Sequence, residues 1–134
     1  MSVDSLSFSA DPNQIPVVYD FVDQLLTQRA IAKELADRIR LAVIEATTNA
    51  ILHGSQSDPK NTIVLRINWE DQSGCYRFSV KDQGNGFAVD KLPDPTAPKR
   101  LQMESGRGVY IMKQLADRIE FLQGGSEVVL IFNS

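Results

Sequence analysis

Apolar residues repeat at helical spacing in two stretches of the N-terminal half of the chain. The first stretch, ADPNQIPVVYDFVDQLLTQRA, predicts a helix that Asp11 or Asn13 can cap. Its predicted core positions are Val17, Phe21, Leu25 and Leu26. The second stretch predicts a helix from about Ala32 to His53, which Gly54 would end. Its predicted sheet-facing stripe consists of Leu35, Ile39, Ala42, Ala46 and Ala50.

Alternating apolar and polar residues predict the strands. SLSFSA predicts a first, edge strand, and TIVLRINWE and CYRFSVKD predict a hairpin around the turn DQSG. VYIMKQLADRI predicts a third helix, and EFLQ and SEVVLIF predict a closing hairpin with Gly124-Gly125 as its turn. This order, β-α-α-β-β-loop-α-β-β, predicts an α+β fold: a two-layer α/β sandwich with a mixed, mostly antiparallel sheet and helices on one face. The length of 134 residues fits a single domain over residues 1–134.

The composition narrows the classes of partner. The formal net charge of −3 and the lack of basic runs argue against direct binding to nucleic acid. No apolar run approaches the roughly 20 residues that cross a bilayer, and no signal peptide is apparent, so no membrane partner is expected. Cys75 is the single cysteine, which excludes an internal disulfide and favours a reduced, cytoplasmic location. Its strand context favours a structural residue over a catalytic thiol.

Two polar residues interrupt the apolar second half of the second predicted helix. Glu45 and Asn49 are four positions apart, so they lie side by side next to the sheet-facing stripe, and His53 continues their line. Isolated charges are costly among apolar neighbours. Two interpretations follow: a buried polar pair bonded to nearby backbone, or the wall of a ligand cavity.

Two glycine-rich motifs add to this pattern. In VKDQGNGF, Asp82 ends an apolar strand, and Gly84 and Gly86 follow, which suits a close approach of the backbone to a ligand. In ESGRGVYIM, Gly106 and Gly108 stand at the start of the third predicted helix, where free N–H groups and the helix dipole attract an anion. Each motif alone is common in ordinary turns and helix starts, so the argument depends on their combination.

The three motifs in this order, E-x-x-x-N, D-x-G-x-G and G-x-G, resemble the ATP-binding superfamily of DNA gyrase, heat-shock chaperone ATPases, mismatch-repair ATPases and sensor histidine kinases. More narrowly, IEATTNAILHG, VKDQGNGF and SGRGVYIMKQLAD resemble the small bacterial anti-sigma factors that are also serine protein kinases. The resemblance runs from about Asn13 to Phe132. It implies the Bergerat-type ATP-binding fold, with ATP and Mg²⁺ as cofactors.

The resemblance also implies roles for single residues. Glu45 matches the general base, Asn49 the ligand of Mg²⁺, and Asp82 the acceptor for the adenine amino group. The other implied nucleotide contacts are His53, Gly84, Gly86, Phe87, Ser105, Gly106, Arg107, Gly108 and Val109. Residues 88–107 approximately match an ATP lid. Because Glu104 stands where the family often has a basic residue, the contact to the γ-phosphate stays open. Its candidates are Lys99, Arg100 and Arg107.

The function that the resemblance implies is an ATP-dependent serine/threonine protein kinase and anti-sigma factor. It would act in partner switching and phosphorylate an anti-anti-sigma (STAS-type) protein on serine, with a sigma factor or another regulatory protein as its second partner. Formation of a homodimer is compatible with the resemblance. Two alternatives stay open: a nucleotide-binding regulatory module that sequesters a partner with little or no kinase activity, and a simple ATPase in which Glu45 activates water.

Overall fold

The computed structural model describes residues 2–54, 57–82, 104–123 and 126–134, and in the third helix it describes side chains from residue 108 onward. Within these ranges the chain forms, in order, β1 (Ser2–Ser9), α1 (Ile15–Gln28), α2 (Lys33–Asn49), β2 (Thr62–Glu70), β3 (Cys75–Asp82), α3 (Glu104–Leu115), β4 (Arg118–Leu122) and β5 (Glu127–Asn133). A short 3-10 turn, Pro12–Gln14, precedes α1, and a π-helical turn, Ala50–Gly54, follows α2. No helix in the described ranges is long and apolar enough to cross a bilayer.

The five strands form one sheet in the order β1-β2-β3-β5-β4. Every neighbouring pair is antiparallel, so the described sheet has no parallel part, although the sequence left a mixed sheet open. Along β2, Ile63, Leu65 and Ile67 are fully buried while Arg66 is exposed, as expected when one face of a sheet is covered. The covered face packs against all three helices in one hydrophobic core. The predicted α+β sandwich and the edge position of β1 are therefore confirmed.

Helix α1 presents a different row of residues to the core than the sequence predicted. Val18, Val22 and Leu26 are buried, whereas Val17 is 46% exposed. Of the four predicted core positions, Leu26 is confirmed, while Phe21 and Leu25 are only partly buried. Two adjacent rows of α1 are apolar, so periodicity alone cannot decide which of them faces the sheet. Asp11 does act as a cap: its Oδ1 accepts a hydrogen bond of 2.9 Å from the backbone N of Asn13, at the 3-10 turn before α1.

Helix α2 buries the predicted stripe, but it ends differently. All five predicted positions are buried: Leu35, Ile39, Ala42, Ala46 and Ala50. Regular α-helix stops at Asn49, and the chain continues through the π-helical turn to Gly54. Among the described glycines, the left-handed backbone conformation occurs at Gly74 and not at Gly54. The helical stretch therefore ends at Gly54 as predicted, but without the left-handed conformation that is common at helix ends.

The third helix begins earlier and ends earlier than predicted. It starts at Glu104 rather than next to Val109, and it ends at Leu115 rather than at Ile119. The end is set by Asp117, whose backbone N donates to the Ile131 carbonyl at 2.9 Å and whose Oδ2 accepts from the Asn133 backbone N at 2.7 Å. These bonds turn the chain into β4, which pairs with β5 as predicted. The predicted turn at Gly124-Gly125 lies outside the described residues.

Candidate nucleotide-binding site

A narrow pocket lies where α2, α3, β3 and β5 meet. Among the described residues it is a small crevice of about 10 Å³, which is close to the space that one water molecule needs. Its lining combines apolar side chains with a carboxylate, a carboxamide and a hydroxyl: Ala46, Asn49, Ala50, Val80, Asp82, Met112, Ser126 and Val128. A few polar groups among apolar ones is the type of lining found in ligand sites, although this crevice is far smaller than a nucleotide.

Asp82 faces this pocket because of its position in β3. Side chains alternate along a strand, and Phe78, Val80 and Asp82 share the covered face of the sheet. The Asp82 residue is only 3% exposed. Its backbone pairs with Ile63 of β2, and its N donates to the Ser126 carbonyl at 2.9 Å. The carboxylate is therefore held in a buried position by a backbone that is fixed on both sides.

Asn49 lies at the other end of the same pocket, against α3. The residue is 5% exposed, and its Nδ2 atom reaches no acceptor among the described residues. A β-carbon placed on Gly108 would lie 2.8 Å from Asn49 Nδ2 and 3.0 Å from Oδ1. The structure thus brings together Asn49 and Gly108, which are far apart in the sequence. Position 108 requires a glycine because α3 lies so close to the Asn49 carboxamide.

The early start of α3 changes the geometry expected at its N-terminus. Gly108 lies in the second turn of the helix rather than at its first residue. The first turn, with its free N–H groups, is formed by Glu104, Ser105, Gly106 and Arg107. An anion attracted by the helix N-terminus would therefore meet the backbone before Gly108, while Gly108 itself contacts Asn49.

Contacts between α2 and α3 hold this arrangement. Nη1 of Arg38 donates to the Leu115 carbonyl at 3.0 Å, and Met112 is 1% exposed between α3 and the core. A cation at a helix C-terminus is favourable for the helix dipole. Arg38 was not predicted to have this role, because the sequence places it among exposed charges on the outer face of α2.

The other predicted site residues on α2 are more exposed than Asn49. Glu45 and His53 are both half-buried, and the Nε2 atom of His53 is buried without a partner among the described residues. Glu45 lies one turn before Asn49 on the same side of α2 but does not line the pocket. Val109 is buried in the hydrophobic core.

The remaining predicted site residues lie outside what the structure describes. Residues 83–103 belong to this group, and they include Gly84, Gly86, Phe87, Lys99 and Arg100. The side chains of Ser105 and Arg107 are also outside the description, together with most of the predicted lid.

Two residues at the pocket were missed by the sequence interpretation. Ser126 lines the pocket at the start of β5, and its hydroxyl donates to the Gln123 carbonyl at 3.0 Å. Gly54 contacts Asp82: a β-carbon on Gly54 would lie 2.8 Å from Asp82 Cγ. Ser126 follows a glycine pair and Gly54 follows a helix. Both patterns are common in sequences, so neither indicated a ligand-binding site.

Comparison with known families matches residues 8–132 to the histidine kinase-like ATPase domain. The chain belongs to this family. Within it, the resemblance to bacterial anti-sigma factor kinases is confirmed by curated relatives that carry the name anti-sigma F factor.

These relatives differ in how much of each chain is matched. The anti-sigma F factor of Bacillus cytotoxicus is 27% identical over 91% of this chain and 84% of its own length. That of Halalkalibacterium halodurans is 27% identical over 87% of this chain and 80% of its own length. That of Geobacillus thermodenitrificans is 35% identical, but the match spans 60% of this chain and only 56% of the relative.

Solved structures share the fold. The structure of the RsbU and RsbW domains of Rv1364c from Mycobacterium tuberculosis covers 99% of this chain with a TM-score of 0.69 at 20% identity, over 32% of that chain. The histidine kinase domain from Erythrobacter litoralis EL346 covers 73% of this chain with a TM-score of 0.50 at 24% identity, over 43% of that chain. At these identities, the two structures show a common fold and nothing more specific.

Proposed function

We propose that this protein is an ATP-dependent serine/threonine protein kinase that also acts as an anti-sigma factor in partner switching. The observation that carries the proposal is that Asp82 and Asn49 line the same pocket, with Gly108 of α3 packed against the Asn49 carboxamide. This arrangement suits a nucleotide, with its base at Asp82 and its phosphates at Asn49 and α3. The relatives named anti-sigma F factor support the regulatory part of the proposal. The proposal treats residues 1–134 as one catalytic domain.

Asp82 would select the base. An ionised carboxylate is an acceptor only, so it takes a hydrogen bond from the 6-amino group of adenine. Guanine has a carbonyl oxygen at the same place, which would face the carboxylate without a proton between them. Because Asp82 is 3% exposed, water has little room to relieve this repulsion. The proposed cofactor is therefore ATP rather than GTP.

Asn49 would hold Mg²⁺, and its environment fits that role. The buried Nδ2 of Asn49 has no acceptor among the described residues, which is costly, and a phosphate oxygen of the nucleotide would supply one. Its oxygen is the type of hard ligand that Mg²⁺ prefers. When bound, Mg²⁺ would neutralise charge on the phosphates. The N–H groups in the first turn of α3 would meet the phosphate oxygens, and the γ-phosphate contact is proposed to come from Lys99, Arg100 or Arg107.

Glu45 would be the general base. It is half-buried one turn before Asn49, beside the residues that line the pocket, and its exposed part can face an incoming protein. In the proposed reaction Glu45 accepts the proton of the substrate serine hydroxyl. The serine oxygen forms the bond to the γ-phosphorus as the bond to the ADP oxygen breaks. The proton on Glu45 then passes to solvent.

The protein substrate would approach across a surface groove beside Glu45, which we call the α1–α2 groove. It is lined by Tyr19 of α1 and by Asp37, Arg40, Leu41 and Ile44 of α2. Tyr19 and Leu41 are exposed apolar residues, and Leu41 precedes Glu45 by one helical turn. A substrate whose serine reaches Glu45 would cover this groove, so we assign it to the anti-anti-sigma protein.

The α1–α2 groove also has a fixed polar rim. Nη1 of Arg40 pairs with Asp23 Oδ1 at 3.1 Å, and Asp37 accepts hydrogen bonds from both Lys33 and Arg40. The hydrogen bond from Lys33 is the largest cause that lowers the pKa of Asp37; burial opposes it, and the hydrogen bond from Arg40 lowers the pKa further. This carboxylate therefore stays charged at neutral pH and can orient a polar partner at the edge of the groove.

The decisive experiment mixes the protein with Mg-ATP and an anti-anti-sigma protein and measures phosphoserine. Glu45→Ala is expected to lower the rate by at least about 100-fold, because general-base catalysis contributes roughly that much, while ATP still binds. Glu34→Ala, which removes an exposed carboxylate from the same helix, is the matched control and is expected to leave transfer unchanged. Equal transfer by wild type and Glu45→Ala would contradict the general-base assignment.

The same assay separates the alternative functions. ATP binding and partner binding without phosphoserine would indicate a regulatory module that only sequesters its partner. Release of phosphate from ATP without any protein acceptor would indicate a simple ATPase in which Glu45 activates water.

A further inference from the structure

The backbone conformation at position 54 is an ordinary one, so it does not explain why this residue is a glycine. A glycine that follows a helix commonly adopts the left-handed conformation that other residues avoid. Gly54 does not, since among the described glycines that conformation occurs only at Gly74. Because any residue can adopt the backbone angles of Gly54, we infer that glycine is required by the lack of space for a side chain.

That space is filled by Asp82. A β-carbon on Gly54 would lie 2.8 Å from Asp82 Cγ and 3.3 Å from its Oδ1, with Oδ2 nearer still. Asp82 cannot move back as a whole, because its backbone pairs with Ile63 and bonds to the Ser126 carbonyl. The side chain of Asp82 would have to rotate away, or the turn that holds Gly54 would have to shift.

The π-helical turn explains how Gly54 comes so close. In a regular α-helix, a residue four positions after Ala50 is rotated by about 40° from it around the helix axis. A π-helical turn contains more residues, so Gly54 stays nearer to the sheet-facing line of Ala46 and Ala50. The Ile51 carbonyl accepts a hydrogen bond of 2.6 Å from the backbone N of Ser57, which fixes the end of this turn. The turn thereby places Gly54 in close contact with the Asp82 carboxylate.

We propose that Gly54 is a positioning residue that sets the base specificity of the pocket through Asp82. The missing β-carbon leaves the Asp82 carboxylate in the one orientation in which it can accept a hydrogen bond from a 6-aminopurine. This inference rests on the proposed nucleotide site and assigns part of its specificity to a residue that would not touch the base itself. The selected ligand class is a purine nucleotide with an amino group at position 6.

The test compares two ligands on the wild-type chain and on Gly54→Ala. The ligands are ATP and purine riboside triphosphate, which lacks the 6-amino group but keeps the ring and the phosphates. A hydrogen bond to a charged group corresponds to a preference of about tenfold or more, so the wild type is expected to bind ATP at least that much more tightly. In Gly54→Ala this ratio is expected to fall to about one, with the affinity for the analogue changed less than about threefold.

Two further variants separate positioning from general damage to the fold. Gly74→Ala is the matched control, because it also introduces a β-carbon into occupied space, next to Ser134, and at a left-handed backbone. It is expected to lower the melting temperature and to leave the ratio of the two ligand affinities unchanged. In an Asp82→Ala background, the further change Gly54→Ala is expected to have no effect on either affinity, because the carboxylate that it displaces is gone.

The outcomes distinguish failure of the proposed nucleotide site from failure of the proposed role of Gly54. A wild type that binds neither ligand overturns the nucleotide site and this inference with it. A wild type that prefers ATP, with the same preference in Gly54→Ala, overturns the role of Gly54 alone. If Gly54→Ala does not fold, recovery of folding by the double variant with Asp82→Ala supports the inference. Failure of that double variant to fold overturns it, because the β-carbon would then clash with something other than the carboxylate.

Discussion

At the scale of single residues, Asn49 and Gly108 meet where α2 and α3 pack together, and their contact leaves no space for a β-carbon on α3. Asn49 is 5% exposed and sits in a helix whose neighbouring residues are buried, so it cannot easily move. A larger residue at position 108 would therefore push the carboxamide or separate the two helices. Both effects would change the end of the pocket that is proposed to hold the phosphates.

We predict that Gly108→Ala weakens ATP binding by at least tenfold, which a calorimetric titration would measure. The added β-carbon would stand 2.8 to 3.2 Å from the atoms of the Asn49 carboxamide. The effect on folding should be smaller, because overpacking costs about 1–3 kcal/mol while alanine is better than glycine in a helix by up to about 1 kcal/mol. Tyr110→Ala, at an exposed position of the same helix, is the control that should keep normal affinity. Unaltered ATP affinity in Gly108→Ala would remove Asn49 from the proposed site.

The close contacts of Gly54 and Gly108 could not be predicted from the sequence. The spacing of Glu45 and Asn49 indicates that they lie side by side on a helix, because this depends only on helical geometry. The contacts of the two glycines depend instead on how three elements pack, and no local pattern encodes a distance between α3 and α2. The sequence indicated a helix stop at Gly54 and an anion-attracting helix start at Gly108, whereas in the structure each glycine closely approaches a polar side chain of the chain itself.

At the scale of elements, α1 and α2 expose more apolar surface than their packing requires. Tyr19 and Leu41 are 43% and 49% exposed on facing sides of the α1–α2 groove. Helix α1 has two adjacent apolar rows, and only the row of Val18, Val22 and Leu26 is buried. The exposed surface at Tyr19 and Leu41 is the part that the proposed protein partner would cover.

We predict that Leu41→Asp weakens binding of the anti-anti-sigma protein at least tenfold in a pull-down or calorimetric titration. A charge at the centre of a covered apolar surface would be buried without a partner. Stability should change by less than about 0.5 kcal/mol, because the position is exposed, and ATP affinity should not change. Val3→Asp introduces the same charge at an apolar residue of β1 that is 54% exposed, and it should leave partner binding normal. If Leu41→Asp bound the partner as tightly as wild type, the groove would not be the docking surface.

The number, type and order of these elements were predictable from periodicity, whereas the bounds of α3 were not. Val109 to Ile119 shows a continuous helical pattern, yet the chain leaves the helix after Leu115. The reason is the pair of bonds from Asp117 to β5, which are tertiary contacts between residues 14 and 16 positions apart. The helical preference of residues 116–119 was therefore overridden by the pairing of β4 with β5.

At the scale of the whole molecule, the pocket links four elements, so a ligand in it should stabilise the entire fold. Residues from α2, β3, α3 and β5 all line it. Unfolding of any one of these elements would destroy the site, and binding would therefore oppose global unfolding.

We predict that saturating Mg-ATP raises the midpoint of thermal unfolding by on the order of 10 °C. A ligand at 100 times its dissociation constant adds about 2.7 kcal/mol, which corresponds to such a shift for a chain of this size. Differential scanning calorimetry would measure it, with GTP as the comparison ligand and a smaller shift expected. Glu45→Ala should keep the ATP shift and Asp82→Asn should lose most of it. No shift at saturating ATP would contradict the nucleotide site in all its parts.

The order of the strands in the sheet was not predicted from the sequence. Hairpins β2–β3 and β4–β5 follow from short turns, but the order of elements does not decide whether β5 or β4 pairs with β3. That choice follows from the burial of β5, where Val128 to Phe132 form a continuous apolar run. A strand that is apolar on both faces is more stable between two others than at an edge.

The interior place of β5 has a consequence during protein synthesis. The strand ends at Asn133, and with Ser126 it supplies one wall of the pocket. While the ribosome is still making the chain, α2, β3 and α3 can emerge and begin to pack, but the sheet lacks its inner strand until residue 133 has left the exit tunnel. A nascent chain without β5 can therefore neither close the pocket nor join β3 to β4, and we expect the proposed nucleotide binding to begin only once β5 has paired.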